Sequence, residues 1–286
     1  MSETVLPKPF PDMDLHGDMH LYLILDGTQI PNVETLLYQV EGNPKYEPIY
    51  FNSPWSELKE VSPCVVVATW NLVDWFRKNA NANQGYFFSS FANLEDVAET
   101  MRGVIQVKTP YGSSVFYKMA HAEAAWVLFD DESPALWHNI EQVWLPTRDG
   151  WKTKNKPSTL SSSPQQPITF TDKQWAQLGQ ISWRNSLEKI EKHITKWFNH
   201  SLPQTDNHWV REQASRAYQK GFSSERDLLQ YFTVLGFLGE KALTEEAYPE
   251  LYQLVNAPSA QTPSQRIEKA ALLAERYATS TQEHTL

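Results

Sequence analysis

The residues from Lys152 to Pro167 read Lys-Thr-Lys-Asn-Lys-Pro-Ser-Thr-Leu-Ser-Ser-Ser-Pro-Gln-Gln-Pro, and they limit the fold of this 286-residue chain more than any other stretch. Ser, Pro and Lys at this density supply no face that can be packed, so the segment reads as a linker or exposed loop. The pattern of apolar residues differs on its two sides. Before it, short apolar runs rich in β-branched residues alternate with helix-length segments; after it, every patterned segment has the helical period. This predicts an α/β N-terminal lobe, a mixed sheet with covering helices, followed by an all-α C-terminal lobe. The expected divisions are an extended, weakly ordered lead-in over 1–19, the α/β domain over 20–151, the linker over 152–167 and the helical lobe over 168–286.

The first lobe is organised outward from Leu21-Tyr22-Leu23-Ile24-Leu25, a continuous apolar run that suits a strand covered on both faces. Asp26-Gly27 breaks the run, and Gly is expected there for the positive φ of a tight exit. Pro31 suits a first helical position, and Val33, Leu36, Leu37 and Val40 recur at helical spacing behind it. Cys64 to Trp70 predicts a central strand. Further strands are expected over 47–51 and 85–89, with a helix over 71–81 between them. Asn93 caps a helix that runs to Arg102. Residues 104–108 and 114–118 form a hairpin about Thr109-Pro110-Tyr111-Gly112. Short helices over 121–129 and 134–139 precede a last strand over 141–145.

Beyond the linker, Thr171 and Gln174 make a capping box, with Phe170 and Trp175 placed as a hydrophobic staple. Trp183, Leu187, Ile190, Ile194, Trp197 and Phe198 continue one apolar stripe. A second helix runs from Trp209 to Lys220 and is closed by Gly221. A third starts at Ser223 or Ser224, a fourth at Thr244, and a fifth at Thr262, where Pro263 and Gln265 complete the start signal.

A net charge of −9 and no large Lys/Arg cluster argue against nucleic-acid binding. The single cysteine, Cys64, excludes an internal disulfide and fits a reducing compartment. The N-terminal residues lack the apolar core of a signal peptide, and no apolar run approaches a membrane span. The expectation is a cytoplasmic protein with no membrane contact.

Candidate chemistry is sparse. Asp12, Asp14, His16, Asp18 and His20 stand at alternate positions, where an extended chain would turn them to one side as metal ligands. Against this, the same residues read as a solvated acidic segment entering the first strand. Cys64 sits in a Val-rich run, where burial raises a thiol pKa and leaves it inert. His121 and Glu123 flank a helix start, as structural residues or as an acid and a base. His193 and His200 are too far apart on one helix to chelate. No nucleophile elbow, phosphate-binding loop, dinucleotide fingerprint or zinc-protease motif is present. With eleven tryptophans in such a chain, binding is a better reading than catalysis.

The order of features resembles the effector-chaperone (adaptor) family of bacterial type VI secretion. The likeness runs from Leu21–Gly27 through Tyr46-Glu47-Pro48-Ile49-Tyr50, Ser62-Pro63-Cys64-Val65-Val66, Gly85–Ser90, Leu94-Glu95-Asp96 and Thr100-Met101-Arg102 to Val107–Gly112. The second lobe is similar around Gly221 to Leu228. One departure stands out. Where the family usually reads Phe-Arg-Phe-Tyr-Asp-Pro-Arg, this chain has Tyr117-Lys118-Met119-Ala120-His121-Ala122-Glu123, so Asp-Pro-Arg has become His-Ala-Glu.

The resemblance implies a non-catalytic adaptor without cofactor. Such a protein binds a toxin effector in the cytoplasm of the producing bacterial cell and helps load it onto the VgrG spike. Arg102, Tyr117 and Lys118, from family-like motifs, and Trp151 and Trp209, beside the expected junction, are the partner-binding candidates; no residue is assigned a catalytic or metal-binding role. The alternatives are a metal-dependent hydrolase built on Asp14, His16 and His20, and a structural component of a secretion assembly.

Overall fold

A computed structural model describes residues 5–158, 160, 168–199, 202, 207–244 and 247–283. The chain divides into two compact units, Met1–Ile181 and Ser182–Leu286.

The first unit is α/β. Its elements in order are β1 (His20–Leu25), α1 (Val33–Glu41), β2 (Tyr46–Pro48), β3 (Cys64–Val67), α2 (Trp70–Asn79), β4 (Gly85–Ser90), α3 (Leu94–Arg102), β5 (Gln106–Lys108), β6 (Ser114–Phe116), α4 (Ala122–Asp130), α5 (Pro134–Trp137), β7 (Gln142–Thr147) and β8 (Gly150–Asn155). Six strands form one sheet in the order β2-β3-β1-β4-β7-β8, and β5 and β6 form a separate hairpin. The expected mixed sheet is instead antiparallel at every pairing. The reason lies in the placing of β1. β3 and β4, joined through α2, both run antiparallel to β1 and so parallel to each other, but β1 sits between them. A strand–helix–strand alternation in sequence therefore yields no parallel neighbours.

The continuous apolar run of β1 is explained by two cores. Tyr22 and Ile24, with Val65, Tyr86, Phe88, Val143 and Leu145, face α3, α4, α5 and the hairpin. Leu23 and Leu25, with Cys64, Val66, Phe87 and Trp144, face α1, α2 and the lead-in. Each fully buried side chain of this kind stabilises the fold by about 1.5–3 kcal/mol.

Local details correct four expectations. Gly27 does not take a positive φ; a Cβ there would lie 2.2 Å from the carbonyl oxygen of Ser62, so Gly is required by close backbone approach. Pro31 precedes the helix, whose N-cap is Asn32 in the left-handed region at φ 56°. The lead-in is anchored: Val5 bridges Asn81, Leu6 is buried, and Phe10 meets Phe87 and Trp151 edge-on at 6.0 and 5.1 Å. The expected linker begins too early, because Lys152–Asn155 lie in β8, the true last strand, paired with β7. Residues 159 and 161–167 of that segment lie outside the described residues.

The capping box at Thr171 forms as expected. The Thr171 N–H donates to Gln174 Oε1 at 2.8 Å and the Gln174 N–H to Thr171 Oγ1 at 3.2 Å. It opens α6 (Asp172–Trp197), whose early residues Trp175 and Leu178 pack on the first unit's core.

The second unit contains the rest of α6 with α7 (Asn207–Gln219), α8 (Glu225–Leu238), α9 (Pro249–Asn256) and α10 (Pro263–Glu283). Ser224 is the N-cap of α8, accepting the Asp227 N–H at 3.1 Å. Leu228, Tyr231, Phe232, Val234 and Leu235 of α8 are buried, and α10 packs along it through Ile267, Ala270, Ala271 and Ala274. Gly236 lets the Phe198 ring lie flat against α8, since a Cβ would come within 2.3 Å of it. Two expectations fail here. Trp197 is 63% exposed rather than part of the apolar stripe, and Lys196 lies over its ring. The helix expected from Thr244 starts at Pro249, after a 3-10 turn over Glu240–Leu243.

Candidate partner-binding surface

The five residues expected at a partner surface fall into different settings. Arg102 ends α3, whose Val97, Ala98 and Met101 are buried against the sheet. This places its guanidinium under the edge strand β2. Nη2 donates to Glu47 Oε2 and to the Pro48 carbonyl, both at 2.9 Å, while Nη1 donates to Glu99 Oε1 at 2.6 Å. Tyr117 is buried, its hydroxyl donating to the Ala124 carbonyl at 2.8 Å and its ring edge-on to Phe170 at 5.6 Å. Burial pushes its phenol well above the ordinary tyrosine value. Trp151, half-buried on β8, donates its indole N–H to the Pro7 carbonyl at 2.9 Å and so fastens the lead-in. Lys118 is exposed. Trp209, in the second unit, donates its indole N–H to the Glu240 carboxylate and meets Phe232 edge-on at 5.8 Å. Arg102, Tyr117 and Trp151 thus have the geometry of internal fastenings.

The His121-Ala122-Glu123 departure also has a structural account. His121 is the N-cap of α4, its Nδ1 accepting the Ala124 N–H at 3.4 Å, so it does the capping work of an Asp. Ala122 takes the first helical position, where Pro is also favoured. The Glu123 carboxylate accepts the Arg148 N–H at 3.3 Å, with the Arg148 Nε at 3.8 Å, which ties α4 to the β7–β8 turn.

The candidates for chemistry are placed far from reactive settings. Cys64 is 2% exposed, and burial pushes its thiol up to about 12. Asp14, His16 and His20 are exposed, and among the described residues no group of three or more His, Cys, Asp or Glu is placed to hold a metal ion. No helix among the described residues is long and apolar enough to cross a membrane.

Exposed aromatic surface lies elsewhere, on the β5–β6 hairpin. Val107 and Val115 turn inward to the core, so Gln106, Lys108, Ser114 and Phe116 turn outward. Phe116 is 48% exposed, with Trp55 edge-on at 4.8 Å and Tyr50 at 6.4 Å. Tyr111, at the hairpin tip, is 80% exposed. The other edge of β5 is covered by Thr169, whose neighbours exchange backbone hydrogen bonds with Lys108 at 2.8 Å. A hairpin packed on the core thus carries partly wet aromatic rings, the arrangement that serves as an anchor in protein interfaces. Sequence reasoning located the turn but not this patch. Its one legible signal was an aromatic, Tyr111, at a turn tip where no core can claim it.

Residues 21–139 match the domain family described as a domain of unknown function, DUF4123. The chain is also 44% identical over 277 residues to the accessory protein VasW of Vibrio cholerae serotype O1 (strain ATCC 39315 / El Tor Inaba N16961), covering 96% of this chain and 94% of that protein. The chain belongs to the type VI secretion effector-chaperone family. The likeness to VasW covers both compact units, whereas the domain match ends at Asn139, within the first. No solved structure matches the chain.

Proposed function

We propose that this effector chaperone is a non-catalytic adaptor: it binds a toxin effector in the cytoplasm of the producing cell and promotes its loading onto the VgrG spike. The observation that carries this reading is the 44% identity to an accessory protein along nearly the whole chain. The geometry supports it. The one thiol is buried, His121 caps α4 and Glu123 bridges to Arg148, while exposed aromatics stand on a hairpin packed against the core.

The effector contact is proposed on Tyr111, Phe116 and the half-buried Trp55, with Lys118 at the end of the same hairpin. In the second unit, Trp209 and the exposed Trp197 are the proposed contributors. An aromatic platform of this kind covers an apolar effector segment at low entropic cost, because each ring has few torsions to fix. Co-expression with the product of each adjacent gene that encodes a large toxin tests the reading. The adaptor should raise the toxin's soluble yield and elute with it as a discrete complex. No effect on any neighbouring toxin would sink the proposal.

A further inference from the structure

A second exposed aromatic pair lies at the opposite end of the sheet from the hairpin cluster. Tyr50 and Trp55 follow the end of β2, level with Cys64 at the start of β3. Trp70 follows the end of β3 and is 75% exposed. Phe91 follows the end of β4 and is 60% exposed. β1 lies between these strands, with Tyr22 opposite Val67 on one side and His20 opposite Ser90 on the other. Trp70 opens α2 just beyond β3 and Phe91 lies just beyond β4, at the end of the sheet where Met19 leads into β1. The strands that they follow, β3 and β4, flank β1 and so lie two strand spacings apart, roughly 10 Å.

The charge around this pair is one-sided. Asp14 and Asp18, both exposed, lie on the approach to β1. Glu41 stands beside Trp70, accepting the hydroxyl of Thr69, the N-cap of α2. Glu95 and Asp96 occupy the first turn of α3, directly after Phe91. The basic residues of both helices are at their far ends, Arg77 and Lys78 on α2 and Arg102 on α3. Lys156 at this end is paired with Glu141 at 2.9 Å. Lys45, whose backbone carbonyl accepts the Val67 N–H, also lies at this end of the sheet, as do the exposed His16 and His20.

We infer that the edge formed by Trp70, Met19 and Phe91, with Asp18, Glu41 and Glu95 around it, is a docking site for a cationic, apolar-anchored segment of a partner protein. The complementarity is twofold. Aromatic faces attract Lys and Arg side chains as well as apolar ones, and a carboxylate rim raises the association rate of a basic segment and disfavours an acidic one. The assignment goes beyond effector binding at the hairpin, which uses the other end of the sheet. The exposed carboxylates that precede β1 thereby acquire a role as part of a rim rather than as ligands.

The test uses the full chain and a short fluorescein-labelled peptide with Leu at helical spacing and Lys elsewhere, read by anisotropy at low ionic strength, with a Glu-for-Lys peptide as its counterpart. The basic peptide should bind at least about tenfold tighter than the acidic one. Trp70→Ser/Phe91→Ser should weaken it at least about tenfold, with an unchanged melting temperature because both rings are exposed. Asp18→Asn/Glu95→Gln should weaken it several-fold, and the charge-matched pair Glu250→Gln/Glu275→Gln in the second unit by less than about twofold. Absence of binding, equal binding of both peptides, or equal loss from the two charge variants would overturn the assignment.

Discussion

Arg102 and Glu47, far apart in sequence, meet at 2.9 Å beneath the edge strand, and the same guanidinium nitrogen also donates to the Pro48 carbonyl. The pair fixes the C-terminal end of α3 to β2, a three-residue edge strand paired on its other side with β3. The Arg102 side chain is 12% exposed, so its removal leaves Glu47 and a backbone carbonyl without their donor in a partly dry site. Arg102→Ala should cost about 2–3 kcal/mol in denaturant unfolding, with effector affinity lowered only as far as folding is. A fully stable variant that has lost effector binding would instead make Arg102 a contact residue.

Alkaline pH should destabilise the fold. Burial pushes Cys64 up to about 12, and Tyr231 likewise to about 12. In the unfolded chain a thiol ionises near 8.5 and a phenol near 10. The unfolded state therefore releases protons that the folded state keeps, so stability is intact below the unfolded values and falls as pH rises towards the folded ones. Melting temperature should decline from about pH 8.5 to about pH 12. Cys64→Ala should flatten the first part of that decline. A variant with the same slope there would show that the thiol is not the group responsible.

Gly27→Ala should be among the most damaging small substitutions. The added methyl would meet the Ser62 carbonyl at 2.2 Å, backbone against backbone, with no flexible side chain to yield. A loss of about 3 kcal/mol is expected, measured by chemical denaturation. By contrast Gly179→Ala, with open space around it in α6, should be neutral or stabilising.

The hairpin tip should matter for binding and not for folding. Tyr111→Ser/Phe116→Ser removes two exposed rings, so the melting temperature should stay close to that of the parent. Affinity for the cognate effector, measured by calorimetry or interferometry, should fall at least about tenfold. Unchanged affinity would move the contact surface away from the hairpin.

Much of this architecture was legible in the residues. The run Leu21–Leu25 announced a strand buried on both faces and Cys64–Trp70 a central strand, which ends at Val67 because Thr69 caps α2 at Trp70; the boxes Thr171/Gln174 and Thr262/Gln265 marked helix starts that form in the structure. What escaped was what depends on partners distant in sequence. Leu6, Phe10 and Met13 have no local period, because they pack on strands and on Trp151 rather than on one another. β8 reads as Lys-rich linker because edge strands carry such residues on purpose, and its pairing with β7 is invisible in composition. The surface was the least legible part. Trp70 and Trp144 are the same residue type, each after or within an apolar strand, yet one is 75% exposed and the other 2%. Tyr117 and Arg102, taken from family-like motifs, hold the scaffold together and leave the exposed rings to be found by structure.

The most direct test of the adaptor reading is secretion in a strain lacking this chain. The adaptor reading predicts that the cognate effector disappears from the medium while other effectors are still released, and that supplying the chain in trans restores it. Loss of every effector would mark a structural component of the secretion assembly, and undiminished release of the cognate effector would contradict the adaptor reading outright.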